Sequence, residues 1–485
     1  MAQFRTEPED TAGMPSGVPY IIANEAAERF SYYGMRSILV IYMTQWLVNS
    51  GGVLDTMTKD QAKGNFALFG AAVYFCSIFG ALLSDGFLGK YRTILYVSVI
   101  YCLGHLVLSL GGTSIGNSIG FHPRIALAVG LGLIALGSGG IKPCVSANVG
   151  DQFGPSNQHL LEKVYGWFYF SINAGSVFST ILIPWLLGEV MMQDGQPVLT
   201  SSGPQSTSFG PHVAFALPGI LMLFAAFLFW LGRRKFVHRP AAGLGFLREA
   251  TSREGLRILR IPLLVAVFVA VFWSLYEQSG SAWVLQAQEM DRRFGGIELM
   301  GRRFFEFEMN ASSTHTLNPV LILLFIPLFS YLIYPAINRV FRLTAIRKIS
   351  IGLFLTALAF STSAIIESQV AAAEHPDVLW QVIPYVIMTA AEVMVSITGL
   401  EFSYSIAPKS MKSVVMSIWL LSNAAGQLLT WAVNKVIQNP DGSSKLPGAS
   451  YYWAFTLVML AAAIGFVLVS MTFRKTVDAV EPPTE

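Results

Sequence analysis

The chain has 485 residues, 53% of them hydrophobic and only 13% charged, against roughly 25% charged in a soluble domain. That shortage of charge excludes a soluble multidomain enzyme. A net charge of +3 over this length excludes a nucleic-acid binder, and 34 Phe, 17 Tyr and 10 Trp exclude a disordered chain.

A mean hydropathy of +0.54 points to an all-α integral membrane protein, each crossing using about 20 apolar residues. Residues 1–18 form a polar arm with no apolar core, so no cleavable signal peptide is expected. Apolar runs between charge clusters and Gly/Pro breaks then predict spans over 19–48, 61–86, 92–112, 124–149, 162–189 and 211–232. A basic segment, 233–261, follows; it reads as an orientation anchor and linker, or as a helix on the membrane surface. Six more spans are predicted over 262–290, 317–340, 346–368, 378–405, 411–438 and 450–473, and 474–485 is a short tail. The chain is thus expected to hold an N-terminal six-helix bundle (19–232) and a C-terminal one (262–473), a common transporter plan. Asn173-Ala-Gly in the fifth span is echoed by Asn423-Ala-Ala-Gly in the eleventh.

With the N-terminus inside, 20 Lys and Arg fall on the inner side, 9 on the outer and 3 within spans, so both termini are expected in the cytoplasm. Cys76, Cys102 and Cys144 lie inside apolar runs and read as small core residues; no disulfide framework, metal site or other cofactor is expected.

An ionisable residue in mid-membrane costs about 2.5–3.5 kcal/mol on insertion scales, so it must face a wet cavity or a partner. Seven are counted: Glu25, Glu28, Arg29 and Arg36 in the first span, Lys142 in the fourth, Glu277 in the seventh and Glu392 in the tenth. At helical spacing Glu25, Glu28, Arg29, Tyr32 and Arg36 share one stripe about 100° wide. The stripe predicts the wall of a cavity; a structural ion-pair cluster is the plainer alternative. The fourth span is expected to be broken at Gly137-Ser-Gly-Gly-Ile-Lys142-Pro143, although the same glycines also suit close helix packing. Four acids against three bases leave one carboxylate without a cation, a candidate proton carrier. One proton moving inward gains about 2.3 kcal/mol per 100 mV. Tyr32, Tyr33, Tyr74, Trp273 and Trp419 are candidate apolar walls with polar tips, and Asn173 and Asn318 candidate neutral hydrogen-bonding groups. Acids on one side and bases on the other suit a zwitterion, its ammonium by Glu392 and its carboxylate by Arg36 and Lys142. For each aromatic alone, packing is an equally good reading, and His105 reads as a packed core histidine.

Several stretches carry a family resemblance. Glu25-Ala-Ala-Glu28-Arg29-Phe30-Ser-Tyr32-Tyr33-Gly34 resembles the ExxERFxYYG motif of proton-dependent oligopeptide transporters, a branch of the major facilitator superfamily. Gly80-Ala-Leu-Leu-Ser-Asp85-Gly-Phe-Leu-Gly89-Lys90 resembles the loop signature of that superfamily. Further matches are Gly139-Gly-Ile-Lys142-Pro-Cys-Val-Ser-Ala, Asp151-Gln-Phe, Phe168-Tyr-Phe-Ser-Ile-Asn173-Ala-Gly-Ser, Phe272-Trp273-Ser-Leu-Tyr-Glu277-Gln and Glu401-Phe-Ser-Tyr-Ser-Ile-Ala-Pro.

The resemblance implies the major facilitator fold, with 12 transmembrane helices in two pseudo-symmetric bundles, and import of di- and tripeptides with protons by alternating access. It gives proton coupling to Glu25, Glu28, Arg29 and Lys142, with Glu277 exchanging salt bridges with Lys142 or Arg36. Arg36 and Lys142 take the peptide carboxylate, and Glu392, Asn173 and Asn318 the amino end; Asp85 and Lys90 serve gating. Many bacterial members insert two helices between the halves, but 233–261 is too short and too charged for them, so twelve spans are expected. Animal members carry a histidine on the second span where this chain has Ala67, which leaves coupling to the glutamates. The 369–377 loop is too short for an extracellular domain of the animal type. The expected protein is a monomer in the plasma (inner) membrane, with peptides, protons and lipid as its partners. Its alternative is the same fold carrying another small zwitterion, an anion or a peptide-like drug.

Overall fold

The computed structural model describes residues 4–473, apart from 50, 121, 195, 201–202, 239–240, 242, 244–251, 300–301, 373, 400–401 and 403–411. The expected tail at 474–485, much of the 233–261 linker and nearly all of the Glu401-to-Pro408 motif lie outside the described residues. The chain divides into two compact units, Met1–Met57 with Ala72–Gly245 and Thr58–Ala71 with Phe246–Glu485.

In the first unit α1 (Val18–Ile41) starts with a proline in its first turn, where a missing N–H costs nothing, and runs into a π-helical turn, Tyr42–Trp46. Helix α2 (Lys59–Leu83) contributes its residues from Ala72 onward to this unit. A π-helical turn, Ser84–Leu88, ends it, and Gly89 at φ +75° turns the chain into α3 (Lys90–Leu110). The short α4 (Ser114–Ser118) is capped by Thr113, which accepts the Gly116 N–H. Then come α5 (Pro123–Asp151), α6 (Leu161–Leu187) and α7 (Pro211–Leu231). Helix α3 packs against α5 and α7, and α1 against α6 and α7.

The expected break in the fourth span does not occur. Helix α5 runs unbroken through Pro143. Proline's φ is already helical and it deletes a single backbone bond, so a buried helix held by its neighbours passes through it.

The second unit begins its main body with α8 (Arg253–Tyr276), nine residues earlier than the expected span, with Pro262 inside it. A 3₁₀ turn, Glu277–Gly280, leads into α9 (Ala282–Gln288). Helix α10 (Leu317–Leu328), a π turn, Phe329–Ile333, and α11 (Tyr334–Asn338) follow, then α12 (Ala345–Ala371), capped by Thr344. The unit is completed by α13 (Val382–Glu392) with a π turn, Val393–Ile397, then α14 (Lys412–Ile437) and α15 (Ala449–Ser470). Its core is aromatic: Trp283 meets Tyr385 edge-on at 4.8 Å and Phe360 at 5.9 Å.

Ten helices among the described residues are long and apolar enough to cross a membrane. The other two expected spans correspond to α1, with four charged side chains, and to α14, with a polar row at Ser422, Asn423, Gln427, Thr430 and Asn434. Three small antiparallel hairpins among the described residues escaped the sequence reading. In the first unit β1 (Met192–Gln193) pairs with β2 (Gln196–Pro197) and β3 (Leu199–Thr200) with β4 (Gly203–Pro204). In the second unit β5 (Arg293–Leu299) pairs with β6 (Arg302–Glu308). The last pair fills a stretch whose four arginines register in the sequence only as loop charge.

The N-terminal arm is tied down within the first unit. Arg5 forms a parallel bridge with Val237, and its carbonyl accepts the His238 N–H at 2.7 Å. The His238 ring stacks on Phe4 at 4.4 Å and meets Tyr91 at 4.6 Å, while its Nε2–H donates to the Arg233 carbonyl at 2.7 Å. Burial holds the His238 imidazole below its ordinary pKa; the Arg233 carbonyl works against that, and the Arg92 charge adds to it. The unfolded chain therefore binds this proton more readily. The stabilisation from His238 is present above the ordinary histidine pKa and is lost as the pH falls through the lowered folded value. Hydrogen–deuterium exchange of residues 4–10, corrected for intrinsic rate, is expected to be faster at pH 5.5 than at pH 7.5, and less pH-dependent in His238→Gln; equal pH dependence in the two proteins contradicts the assignment.

Candidate functional site

Helix α1 turns its charged stripe into the first unit. Glu25 and Glu28 are 1% and 0% exposed, and Arg36 6%. Arg29 lies between the two acids, its Nε 2.7 Å from Glu25 Oε1 and 3.3 Å from Glu28 Oε2. One guanidinium thus serves two carboxylates a single turn apart, a spacing only a helix supplies. The second oxygen of Glu28, Oε1, accepts the Ser138 hydroxyl at 2.7 Å. Ser138 sits in the Gly137-to-Lys142 run of α5, so this run places a hydrogen-bond donor as well as permitting close approach. One turn further, Lys142 Nζ stands 4.2 Å above the Tyr32 ring, and the Arg36 guanidinium carbon lies 5.9 Å from the same ring. Tyr33 meets Tyr32 edge-on at 5.4 Å, and Tyr74 is partly buried on α2. The stripe is buried, and its acids and Arg29 form the ion-pair cluster of the plainer reading. Asn173 turns its amide back on its own helix, Nδ2 donating to the Tyr169 carbonyl at 2.9 Å.

The second unit gathers a separate group. Glu392 ends α13 where the backbone loosens into a π turn, and Glu277 opens the 3₁₀ turn after α8. Both acids therefore sit where regular α-helix gives way, a frequent setting for functional groups. Glu392 accepts Asn318 Nδ2 at 2.7 Å and the Tyr276 hydroxyl at 2.9 Å, and Asn318 also reaches Thr389 Oγ1 at 3.2 Å. Glu277 Oε1 accepts Asn423 Nδ2 at 3.1 Å, and Gln427 Nε2 donates to Asn423 Oδ1 at 2.7 Å. Trp273 meets Trp419 at 6.4 Å and Tyr276 at 5.4 Å, so the two expected aromatic walls do adjoin.

Several partners were not foreseen. Tyr276 and Asp151 lie inside quoted motifs but had no assigned role, and Asn423 counted only as a repeat echo. Ser138 counted only as part of a hinge. Lys63, counted among the outer-side cations, is buried on α2, 2.8 Å from Asp60 and 3.4 Å above the Tyr451 ring. A cavity of about 300 Å³ in the second unit adjoins it, lined in part by Gln286, Glu289, Glu367 and Tyr452. The sequence carried a signal for this pair in the i, i+3 spacing of Asp60 and Lys63.

Of the expected gating pair, Lys90 donates to Asp151 Oδ2 at 2.6 Å, while the Asp85 carboxylate accepts the Ser84 hydroxyl at 3.4 Å and its carbonyl accepts the Gly243 N–H. The Lys90 and Asp151 side chains are 22% and 15% exposed, enclosed enough for their attraction to be measurable. A double-mutant cycle of Lys90→Met and Asp151→Asn, read by thermal denaturation in detergent, is expected to show a coupling of about 1 kcal/mol. The same cycle with Asp85→Asn is expected near zero; the reverse order makes Asp85 the dominant partner.

The family model described as PTR2, POT family, matches residues 91–248 and 245–454. Peptide transporter family 1 of Drosophila melanogaster is 36% identical over 394 residues, which is 74% of this chain and 49% of that protein. Solute carrier family 15 member 2 of Rattus norvegicus is 32% identical over 421 residues, 80% of this chain and 53% of that one. The chain thus spans about half the length of these curated relatives. Among solved structures, the POT family transporter PepTSo is 32% identical with a TM-score of 0.79, over 96% of this chain and 99% of that one. An auto-inhibited POT family peptide transporter is 31% identical with a TM-score of 0.76, over 94% and 97%. With its membrane-spanning helices and a family match over most of its length, this chain is a multi-pass membrane protein belonging to the POT family, a family of transporters rather than enzymes.

Proposed function

We propose that this chain is a proton-coupled symporter that imports di- and tripeptides by alternating access. The observation that carries the reading is the Glu25, Arg29 and Glu28 cluster with its Ser138 contact. Two carboxylates share one guanidinium, so protonating either acid releases Arg29 to the other, and a proton can be exchanged without leaving a bare buried charge. Lys142, one turn beyond Ser138, and Glu277 belong to the same coupling set.

Arg36 and Lys142 are the cations for the peptide carboxylate. Glu392 and Asn318 are acceptors for the ammonium, with Tyr276 orienting the carboxylate. Asn173, its amide hydrogens turned to the backbone, offers its oxygen. Tyr32, Tyr33, Tyr74, Trp273 and Trp419 contribute apolar surface that tolerates varied side chains, and Asp85 and Lys90 act in gating. The likeness to peptide transporter family 1 and to a solved POT family peptide transporter supports this reading. The 20 cations counted on one side support cytoplasmic termini, and this reading takes the plasma membrane as the site of action and a single chain as the working unit. No cofactor is needed beyond the proton.

Uptake of labelled dialanine into proteoliposomes tests the proposal. An inward proton gradient is expected to raise the initial rate several-fold, and an uncoupler to abolish the gain; equal flux with and without the gradient rejects coupling. Uptake that dipeptides fail to compete, but another zwitterion or a peptide-like drug does, replaces the substrate class. Glu392→Gln is expected to impair transport of free-amine peptides more than of N-acetylated ones, and equal losses remove Glu392 from the amine role.

A further inference from the structure

The first unit holds a row of buried polar groups that the proposed mechanism has not used. On α3, Tyr101, His105 and Ser109 are spaced four apart, so they fall on nearly one face, about 6 Å of rise between each. Tyr101 and His105 are both 0% exposed, their rings 5.1 Å apart. The Tyr101 hydroxyl makes no hydrogen bond, and beyond a backbone contact at Phe215 neither ring nitrogen of His105 is satisfied. Glu28 Oε2 is likewise without a hydrogen bond, its only recorded partner being the 3.3 Å ion pair with Arg29. Two orphaned side chains, Tyr101 and His105, and a carboxylate oxygen of Glu28 held by its ion pair alone require an explanation in one apolar helix packing.

Their placement supplies one. A Cβ on Gly137 would lie 2.5 Å from Tyr101 Cβ, so the glycine brings Tyr101 directly onto α5, and the next residue, Ser138, bonds Glu28. Tyr101 therefore adjoins the Glu28 site. On the other side, a Cβ on Gly219 of α7 would lie 2.7 Å from His105 Cβ, so α7 closes over the imidazole. One turn further along α3, the Ser109 carbonyl accepts His212 Nδ1–H at 2.9 Å, and His212 at the start of α7 is only partly buried. Across its packing, His105 faces Tyr101 on its own helix and Phe215 and Gly219 on α7, and no charged side chain acts on its ring among the described residues.

We infer that His105 and Tyr101 form a proton relay leading from the His212 end of α3 to Glu28, a deepening that rests on the proton-coupled reading above. The Lys and Arg distribution makes that end the outer one. One ring nitrogen of His105 takes up a proton from the outer side and the other releases its own. Tyr101 accepts that proton on its oxygen as its hydroxyl proton passes to the ionised Glu28 carboxylate. One proton enters, one arrives, and both relay groups end neutral. The unsatisfied Tyr101 hydroxyl and His105 ring nitrogens are polar partners of the kind a bridging water requires.

The test compares two readouts in proteoliposomes: proton-driven uptake of labelled dialanine, and exchange of labelled for unlabelled dialanine at equal pH, which needs no net proton movement. In His105→Gln and in Tyr101→Phe, the ratio of driven uptake to exchange is expected to fall about a hundredfold, the lower end of the range for loss of a proton-transfer group. His105→Asn, shorter but still polar, serves as the second variant if the glutamine protein fails to fold. An unchanged ratio, or equal loss of both activities, makes His105 a packing residue and overturns the relay while coupling stands. If the parent protein itself shows no proton stimulation, the coupled reading fails and the relay fails with it.

Discussion

A charge inside an apolar helix has to be neutralised within reach of its own side chain, and in this protein that constraint shapes both units. Arg29 answers it in the first. Its guanidinium is shared by Glu25 and Glu28, and Ser138 takes the lone pairs that Arg29 leaves open on Glu28. Because water is excluded, each of these contacts is worth more than at a surface, and an unpaired partner would be correspondingly costly. The helices around α1 are held to that geometry: the glycine run of α5 is where it is because Ser138 and Lys142 must reach inward one turn apart.

In the second unit the acids meet the same constraint with polar neighbours from other helices. Glu392 and Glu277 are held by neutral amides and a hydroxyl, from Asn318 and Tyr276 in one case and Asn423 in the other. Neutral donors stabilise a carboxylate less than a guanidinium does, which suits Glu392 to a cationic ligand. The location of both acids at the ends of regular helix, beside a π turn and a 3₁₀ turn, gives them backbone that can adjust without unwinding a whole span.

Much of this was legible before any coordinates. The stripe on the first span followed from spacing alone, since residues three and four apart share a face whatever the tertiary structure, and the structure buries that stripe as expected. Helix positions also followed, because bilayer thickness limits apolar runs to a narrow range of lengths. The partners that come from other helices were harder to see. Ser138, Tyr276 and Asn423 are common polar residues whose significance lies in the acid they meet. Nothing in the local sequence distinguishes them from packing residues. The unbroken course of α5 through Pro143 was misjudged for a related reason: local propensity argues for a break, and the surrounding helices override it.

The sequence by itself determined that this is a many-helix membrane protein, that its buried charges lie on a few chosen helices, and that its motifs resemble those of oligopeptide transporters. Composition and helical periodicity are local properties, written residue by residue. Only the tertiary structure decided that Lys90 meets Asp151, that Lys63 is buried on Tyr451, and that Ser138 meets Glu28. Those facts depend on which helices touch and at what height, which packing sets across tens to hundreds of residues and no single segment encodes.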